Sequence, residues 1–180
     1  FLAKNFATSI SPWIVLPEGL APFRVPQSPR PDGDPAPLPY LFDAEDQQRG
    51  AFDIELEVLL MTPCLASAGL APHRLSIGSA RHLYWTVAQL VAHHASNGCN
   101  LRPGDLLGTG TISAPTPDGF GSLLEISQGG KAPVTLATGN TRTFLEDGDE
   151  VIIRARASRD GAASVGFGEE RMRDYRLASS

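Results

Sequence analysis

Cysteine, net positive charge and long apolar runs are all scarce in this 180-residue sequence, and each scarcity excludes a class of protein. Cys64 and Cys99 are too few for a disulfide framework and lack metal-ligand spacing, so a reduced, cytoplasmic compartment is expected. The formal net charge of −5 argues against nonspecific attraction to nucleic acid or to an anionic membrane. No apolar run approaches the ~20 residues that span a bilayer. We therefore expect neither nucleic acid nor a membrane as a partner.

What is present is enough for a single domain with a sizeable core, since 42% of the residues are hydrophobic. Residues 17–39 are rich in proline, which lacks the backbone donor and fixes φ. This composition predicts an extended surface segment without a helix or an interior strand.

Residues 51–61, AFDIELEVLLM, alternate between apolar and polar side chains, which predicts a half-buried strand. Glu55 and Glu57 fall on its polar face. They could be metal ligands, but a solvated strand face explains them better.

Residues 79–98 predict the main helix, with Ser79 as its N-cap and Asn97-Gly98 as its end. His94 shares the apolar face of this helix, which favours a buried, hydrogen-bonded structural histidine. The adjacent His93 points elsewhere, so the two histidines do not form a metal-binding pair.

The chain after Gly98 predicts β structure, with strands at 105–113, 122–127, 131–136 and 149–157 and a last one near 164–168. Turn-forming clusters separate them, and EDGD at 146–149 predicts a tight turn rather than a metal motif. The sequence as a whole therefore predicts an α+β fold that is predominantly β, with one main helix.

Residue patterns alone leave two possible roles for each of three candidate features. GTGT at 108–111 lacks phosphate-loop spacing and predicts either a bent strand or a backbone wall against a ligand. Lys4 could stabilise a developing negative charge, although a surface position is the simpler interpretation. Glu125 could point outward from a strand, or inward to orient a histidine.

Taken together, several motifs resemble the C-terminal part of the fumarylacetoacetase family. The matching stretches occur in the family's order: FLAKNFATSISPWIV, PLPYL, FDIELEV, YWTVAQLVAHHASNGCNLRPGDLLGTGTISAP, FGSLLEIS, TRTFLEDGDEVII and VGFG. The resemblance implies a mixed β-roll of that family's type, a homodimer and a Mg²⁺ or Ca²⁺ ion. It also implies hydrolysis of a carbon–carbon bond in 4-fumarylacetoacetate to fumarate and acetoacetate, in tyrosine and phenylalanine breakdown.

The resemblance also implies roles for individual residues. Lys4 matches a lysine beside the metal that stabilises a carbanion, and Thr8 matches a threonine of the metal site. Thr111 matches a substrate-contacting threonine, with Gly110 allowing close backbone approach. Glu125 matches the glutamate that orients the catalytic histidine, so we expect it to point inward.

Two departures from the family qualify these implications. Ala7 stands where the family usually has glycine, which puts a metal-site backbone contact in doubt. The family's general-base histidine and its metal carboxylates precede the Lys4 motif, so residues 1–180 are expected to be a catalytically incomplete C-terminal part of a longer chain. Two alternatives stay open: a hydrolase of another diketone or acylpyruvate, and a non-catalytic dimerisation domain.

Overall fold

The computed structural model describes residues 8–173, and these form a mixed helix and sheet structure. Its strands are β1 Arg24–Val25, β2 Ala51–Phe52, β3 Glu55–Met61, β4 His73–Ser79, β5 Val134–Thr135, β6 Thr141–Arg142, β7 Glu150–Ala157 and β8 Val165–Arg173. Its α-helices are α1 Pro17–Leu20, α2 Ala44–Arg49, α3 Pro63–Ser67, α4 Val87–Ala95 and α5 Leu123–Ile126. Most of the longer elements are strands, and the prediction of an α+β fold is confirmed.

The main sheet has four antiparallel strands in the order β4-β3-β7-β8. β3 is central because it pairs with β4 on one side and with β7 on the other. The pairs β1–β2 and β5–β6 form two small antiparallel ladders. One end of β3 packs against α3 and β5, where Leu60, Leu65 and Leu136 form a buried cluster.

The predicted strands at 51–61 and 149–157 are confirmed, with one interruption between β2 and β3. Glu55 is exposed and Glu57 pairs with Arg154 across the sheet, as expected of a polar strand face. The last strand is longer than predicted, because β8 continues to Arg173.

The predicted helix at 79–98 is too long. Ser79 caps only a 3-10 turn at Ala80–His82, and the backbone leaves helical geometry at Leu83. The helix α4 begins after Thr86, whose side chain and that of Gln89 form a capping box. The spacing Thr-x-x-Gln is the stronger start signal because it satisfies two backbone donors at once.

The two histidines near the end of α4 are also placed differently from the prediction. His94 is exposed rather than buried, and the fully buried polar side chain of this helix is Gln89. Gln89 accepts from the Thr86 N–H and donates to the Leu41 carbonyl. This helix therefore packs through a buried amide rather than through an imidazole.

Four further predictions need correction. Residues 105–113 form an exposed loop instead of a strand, and residues 122–127 contain the short helix α5. Only Val134–Thr135 is a strand within 131–136. The proline-rich segment is not free of regular structure, since it contains α1, a 3-10 turn and β1. Pro17 occupies the first turn of α1, where no backbone donor is needed.

Ion pairs stabilise the sheet after the EDGD turn. The turn is confirmed by a hydrogen bond from the Asp149 N–H to the Glu146 carbonyl. The buried Asp149 carboxylate accepts two hydrogen bonds from Arg142, at 2.8 and 3.1 Å.

No helix among residues 8–173 is long and apolar enough to cross a bilayer.

A ladder of charges also connects β7 to β8. Arg171 and Arg173 bind Glu150, and Arg171 and Arg154 bind Glu169. Burial alone would raise the pKa of Glu150, but hydrogen bonds from the two arginines hold it below its ordinary value. Hydrogen bonds from Arg154 and Arg171 likewise lower the pKa of Glu169.

Candidate functional site

Glu125 lies in α5, where two serine hydroxyls hold its carboxylate. Ser113 Oγ lies 2.9 Å from both carboxylate oxygens, and Ser122 Oγ donates to one of them at 2.8 Å. Ser122 is also the N-cap of α5, because its hydroxyl accepts from the Glu125 N–H. The carboxylate is therefore held in one orientation at the first turn of a helix, where negative charge is favourable.

The orientation of Glu125 differs from the prediction. The side chain is exposed and lies on a helix, whereas we expected an inward-pointing residue of a strand. The spacing Ser122-x-x-Glu125 is a helix-start signal, and it outweighs the apolar residues between the two. The prediction also missed Ser113, whose only sequence signal is its place at the end of GTIS.

The loop that precedes Ser113 is exposed along its whole length from Leu101 to Thr111. Gly104 and Gly110 adopt positive φ, which L side chains rarely adopt. A Cβ built at Gly108 or Gly110 meets no atom of the described residues within 4 Å. The bent-strand interpretation is therefore wrong, whereas a backbone wall against a ligand stays compatible with the open space beside both glycines.

A tight turn joins this loop to α5. The Ala114 N–H donates to the Gly119 carbonyl at 2.8 Å, and the Gly121 N–H donates to Ser113 Oγ at 3.0 Å. A Cβ at Gly119 would lie only 2.4 Å from Ala114 Cβ and 3.2 Å from the Ile77 carbonyl oxygen. Glycine is needed here because the turn packs closely on itself and against β4.

Ser113 therefore connects the two predicted site elements. Its hydroxyl accepts from Gly121 and donates to Glu125, while Thr111 precedes it by two residues in the chain. Thr111 is exposed, and its Cγ2 lies next to Gly121. Ser113 and Glu125 are 12 positions apart in the chain. Their contact brings the end of the loop, with Thr111, and the Glu125 carboxylate to one region of the surface.

Lys4, Ala7 and Thr8 are the remaining predicted site residues. Lys4 and Ala7 lie outside the described residues. Thr8 is described and exposed. Lys4, Ala7 and Thr8 therefore keep only the roles that the family resemblance implies.

A metal ion does not fit the described residues alone. Across residues 8–173, no group of three His, Cys, Asp or Glu side chains is close enough to hold one. Glu125 is already held by two serine hydroxyls, and Thr8 offers only neutral oxygens. The described residues therefore supply no cluster of carboxylates that would hold Mg²⁺ or Ca²⁺ by themselves.

Two apolar cavities have Trp85 in their lining. The smaller, about 140 Å³, is lined by Thr109 and Ile112 of the loop together with Trp85 and the β2 region. The larger, about 400 Å³, lies between α4 and the proline-rich segment. Arg30 stacks on Tyr84 and Trp85 at its wall, with its guanidinium carbon 4.6 and 4.3 Å from the two ring centroids.

Comparison with known proteins identifies close relatives. A family model described as fumarylacetoacetate (FAA) hydrolase C-terminal matches residues 1–171. Fumarylacetoacetase from Homo sapiens is 47% identical over 169 residues, which cover 94% of this chain and 38% of that protein. The enzyme from Arabidopsis thaliana is 48% identical over 168 residues, 93% of this chain and 37% of that protein. The corresponding protein of Dictyostelium discoideum is 45% identical over 170 residues, 93% of this chain and 37% of that protein. The chain thus spans less than two fifths of the length of these relatives.

Proposed function

Because the chain belongs to the fumarylacetoacetate (FAA) hydrolase C-terminal family, we propose that it forms one wall of the active site of a fumarylacetoacetase. The reaction proposed for the full-length enzyme is hydrolysis of 4-fumarylacetoacetate to fumarate and acetoacetate. Water adds to a carbonyl of the diketone, the adjacent carbon–carbon bond breaks, and the departing carbon takes the electron pair and then a proton. The observation that carries the proposal is the fixed Glu125 carboxylate beside the exposed GTIS loop.

The described residues support a division of roles within this wall. Glu125 presents a carboxylate whose orientation is set by Ser113 and Ser122, which suits a residue that orients a histidine. Thr111 and the open backbone at Gly110 suit contact with the substrate. Lys4 would stabilise the developing carbanion through its positive charge, a role that rests on the family resemblance. The general base is proposed to come from elsewhere in the longer protein.

A divalent cation, Mg²⁺ or Ca²⁺, belongs to the proposal on family grounds only. Its carboxylate ligands would come from outside residues 8–173, with Thr8 next to them. When bound, such an ion would polarise the diketone oxygens. Removal of metal by a chelator and its return should abolish and restore hydrolysis by the full-length enzyme, and hydrolysis that persists after complete metal removal would exclude the cation.

The roll-type fold of the family, a homodimer and a cytoplasmic location are proposed as well. Exposed apolar side chains at Ile10, Trp13, Ile14 and Leu16 support a further packing partner, since their exposed fractions range from 61% to 87%. Light scattering coupled to size exclusion should give twice the mass of the full-length chain. A monomer at micromolar concentration would exclude the dimer.

Substitutions in the full-length enzyme test the site. Glu125→Gln should lower kcat by about 100-fold or more if the carboxylate orients the base, because general acid–base catalysis contributes about 10²–10⁴-fold. Lys4→Ala should also lower kcat, with the circular dichroism spectrum and Tm unchanged. Glu18→Gln is the matched control, because Glu18 is an exposed glutamate of α1 far along the chain from the site.

The kinetic results distinguish a fumarylacetoacetase from a non-catalytic domain and from a hydrolase of another substrate. Unchanged turnover in both Glu125→Gln and Lys4→Ala would support a non-catalytic dimerisation domain. A higher kcat/KM for an acylpyruvate than for fumarylacetoacetate would instead support a hydrolase of another substrate.

A further inference from the structure

Cys99 and His94 form a contact that the hydrolase site does not use. Cys99 Sγ lies 3.3 Å from His94 Nε2, and both residues are exposed. His94 is in the last turn of α4, and Cys99 follows the helix in the NGCN turn. The pair is therefore an accessible nucleophile beside a base.

The turn after α4 holds the thiol in this position. The Gly98 N–H donates to the Ala95 carbonyl at 3.1 Å, and Gly98 adopts a φ of 84° that reverses the chain. The Cys99 N–H then donates to Asn97 Oδ1 at 3.1 Å. These hydrogen bonds fold the chain back, so that the Cys99 thiol lies next to His94 in the last turn of α4.

The contact brings a thiol and an imidazole to hydrogen-bond distance. The thiolate is the reactive form, and an ordinary cysteine is only a few per cent thiolate at pH 7. An imidazole at hydrogen-bond distance can accept the thiol proton. The carbonyl end of a helix favours the resulting imidazolium cation, and His94 lies at that end of α4.

The residues around Cys99 and His94 bear on which reactions of the thiol are possible. Within residues 8–173 no third metal-binding side chain joins the pair, so it does not form a metal site. The other cysteine, Cys64, lies in α3, and both thiols are free. The pair therefore suits a one-step addition rather than a disulfide exchange between the two cysteines.

We propose that Cys99, with His94 as its base, is a covalent modification site for α,β-unsaturated carbonyl compounds. The imidazole Nε2 takes the thiol proton, and the sulfur forms a bond to the β-carbon of the electrophile. The carbon–carbon double bond gives up its π electrons to an enolate, and the imidazolium returns the proton to the α-carbon. No oxidant, reductant or leaving group is required.

Rates of modification at the two cysteines of one sample test the proposal. The full-length protein is treated with limiting N-ethylmaleimide at pH 7, and tryptic peptides are quantified by mass spectrometry. Cleavage after Arg74 and Arg81 places Cys64 and Cys99 on different peptides. We expect Cys99 to react about tenfold faster in the parent than in a His94→Gln variant, with the Cys64 peptide of the same sample as the internal reference, because the variant removes a base at hydrogen-bond distance from Cys99 alone.

Two histidine variants provide the matched comparison. His94→Gln should lower the Cys99 rate about tenfold and leave the Cys64 rate unchanged. His93→Gln should alter neither rate, because His93 Nδ1 bonds to the Tyr40 hydroxyl instead. In guanidinium both thiols should react at equal rates. A Cys99 that does not react in the native protein, or a Cys99 rate unaffected by His94→Gln, would overturn the proposal.

Discussion

Replacing Gly121 with alanine tests whether the turn before α5 positions the Glu125 carboxylate. The added Cβ would lie 2.2 Å from the Ile112 carbonyl oxygen and 2.7 Å from Thr111 Cγ2. Ordinary contacts of a Cβ begin at 3.4 Å. Because the nearest atom belongs to the backbone, the two segments have to separate by about 1 Å.

This displacement reaches the Glu125 carboxylate through the Ser113 hydroxyl. Ser113 Oγ accepts from the Gly121 N–H at 3.0 Å and donates to Glu125. A shift of the turn breaks the first bond and moves the second. Overpacking costs about 1–3 kcal/mol of unfolding free energy. A misplacement of this size can lower kcat/KM by about 100-fold.

The assay combines urea unfolding with initial rates of fumarylacetoacetate hydrolysis by the full-length enzyme. Gly166→Ala is the control, because a Cβ at Gly166 in β8 meets no described atom within 4 Å and its φ is not positive. The control should keep both activity and stability. If Gly121→Ala keeps kcat/KM within twofold of the parent and unfolds at the same urea concentration, the turn does not position Glu125.

Three further predictions concern stability, measured by equilibrium unfolding. Asp149→Asn should lower the free energy of unfolding by about 1–3 kcal/mol, because it removes the buried charge opposite Arg142 and leaves only the more exposed Glu146 carboxylate, at 3.1 Å, as a counter-charge. Thr86→Ala should cost about 1–2 kcal/mol through loss of the capping box at α4. The lowered pKa values of Glu150 and Glu169 mean that their contribution is fully present above the ordinary pKa of 4.5. That contribution should be lost as the pH falls through the lower folded-state values, and Glu150→Gln should flatten this acid-side loss.

Each of these three predictions has a result that contradicts it. A cost below 1 kcal/mol for Asp149→Asn would show that water or another group replaces the ion pair. For Thr86→Ala, an unchanged unfolding midpoint would mean that packing alone sets the start of α4. The acid prediction fails if Glu150→Gln and the parent lose stability in parallel between pH 5 and pH 3.

Local patterns in the sequence are sufficient to predict a strand or a turn where one physical signal dominates. Period-two alternation identifies β3, and the apolar run before SRDG identifies β7, because each strand buries one face against its neighbours. The turn at EDGD follows from glycine and aspartate alone. The family assignment also follows from sequence, since long motifs keep their order whatever the fold.

Local patterns fail where two signals compete. Residues 122–127 have the apolar content of a strand, but Ser122 and Glu125 stand at helix-capping spacing and α5 forms. Ser79, the predicted N-cap of the helix at 79–98, competes with Thr86 inside that range, and only Thr86 has a glutamine three residues later to complete the capping box.

The sequence by itself determined which residue types are available to the site and which elements carry most of them. Tertiary structure alone decided that Ser113 meets Glu125, because the intervening turn closes through glycines too tight for any Cβ. It also decided that Arg142 is buried against Asp149. Such pairings join residues distant in sequence, and their free energy depends on burial and geometry that no local pattern specifies.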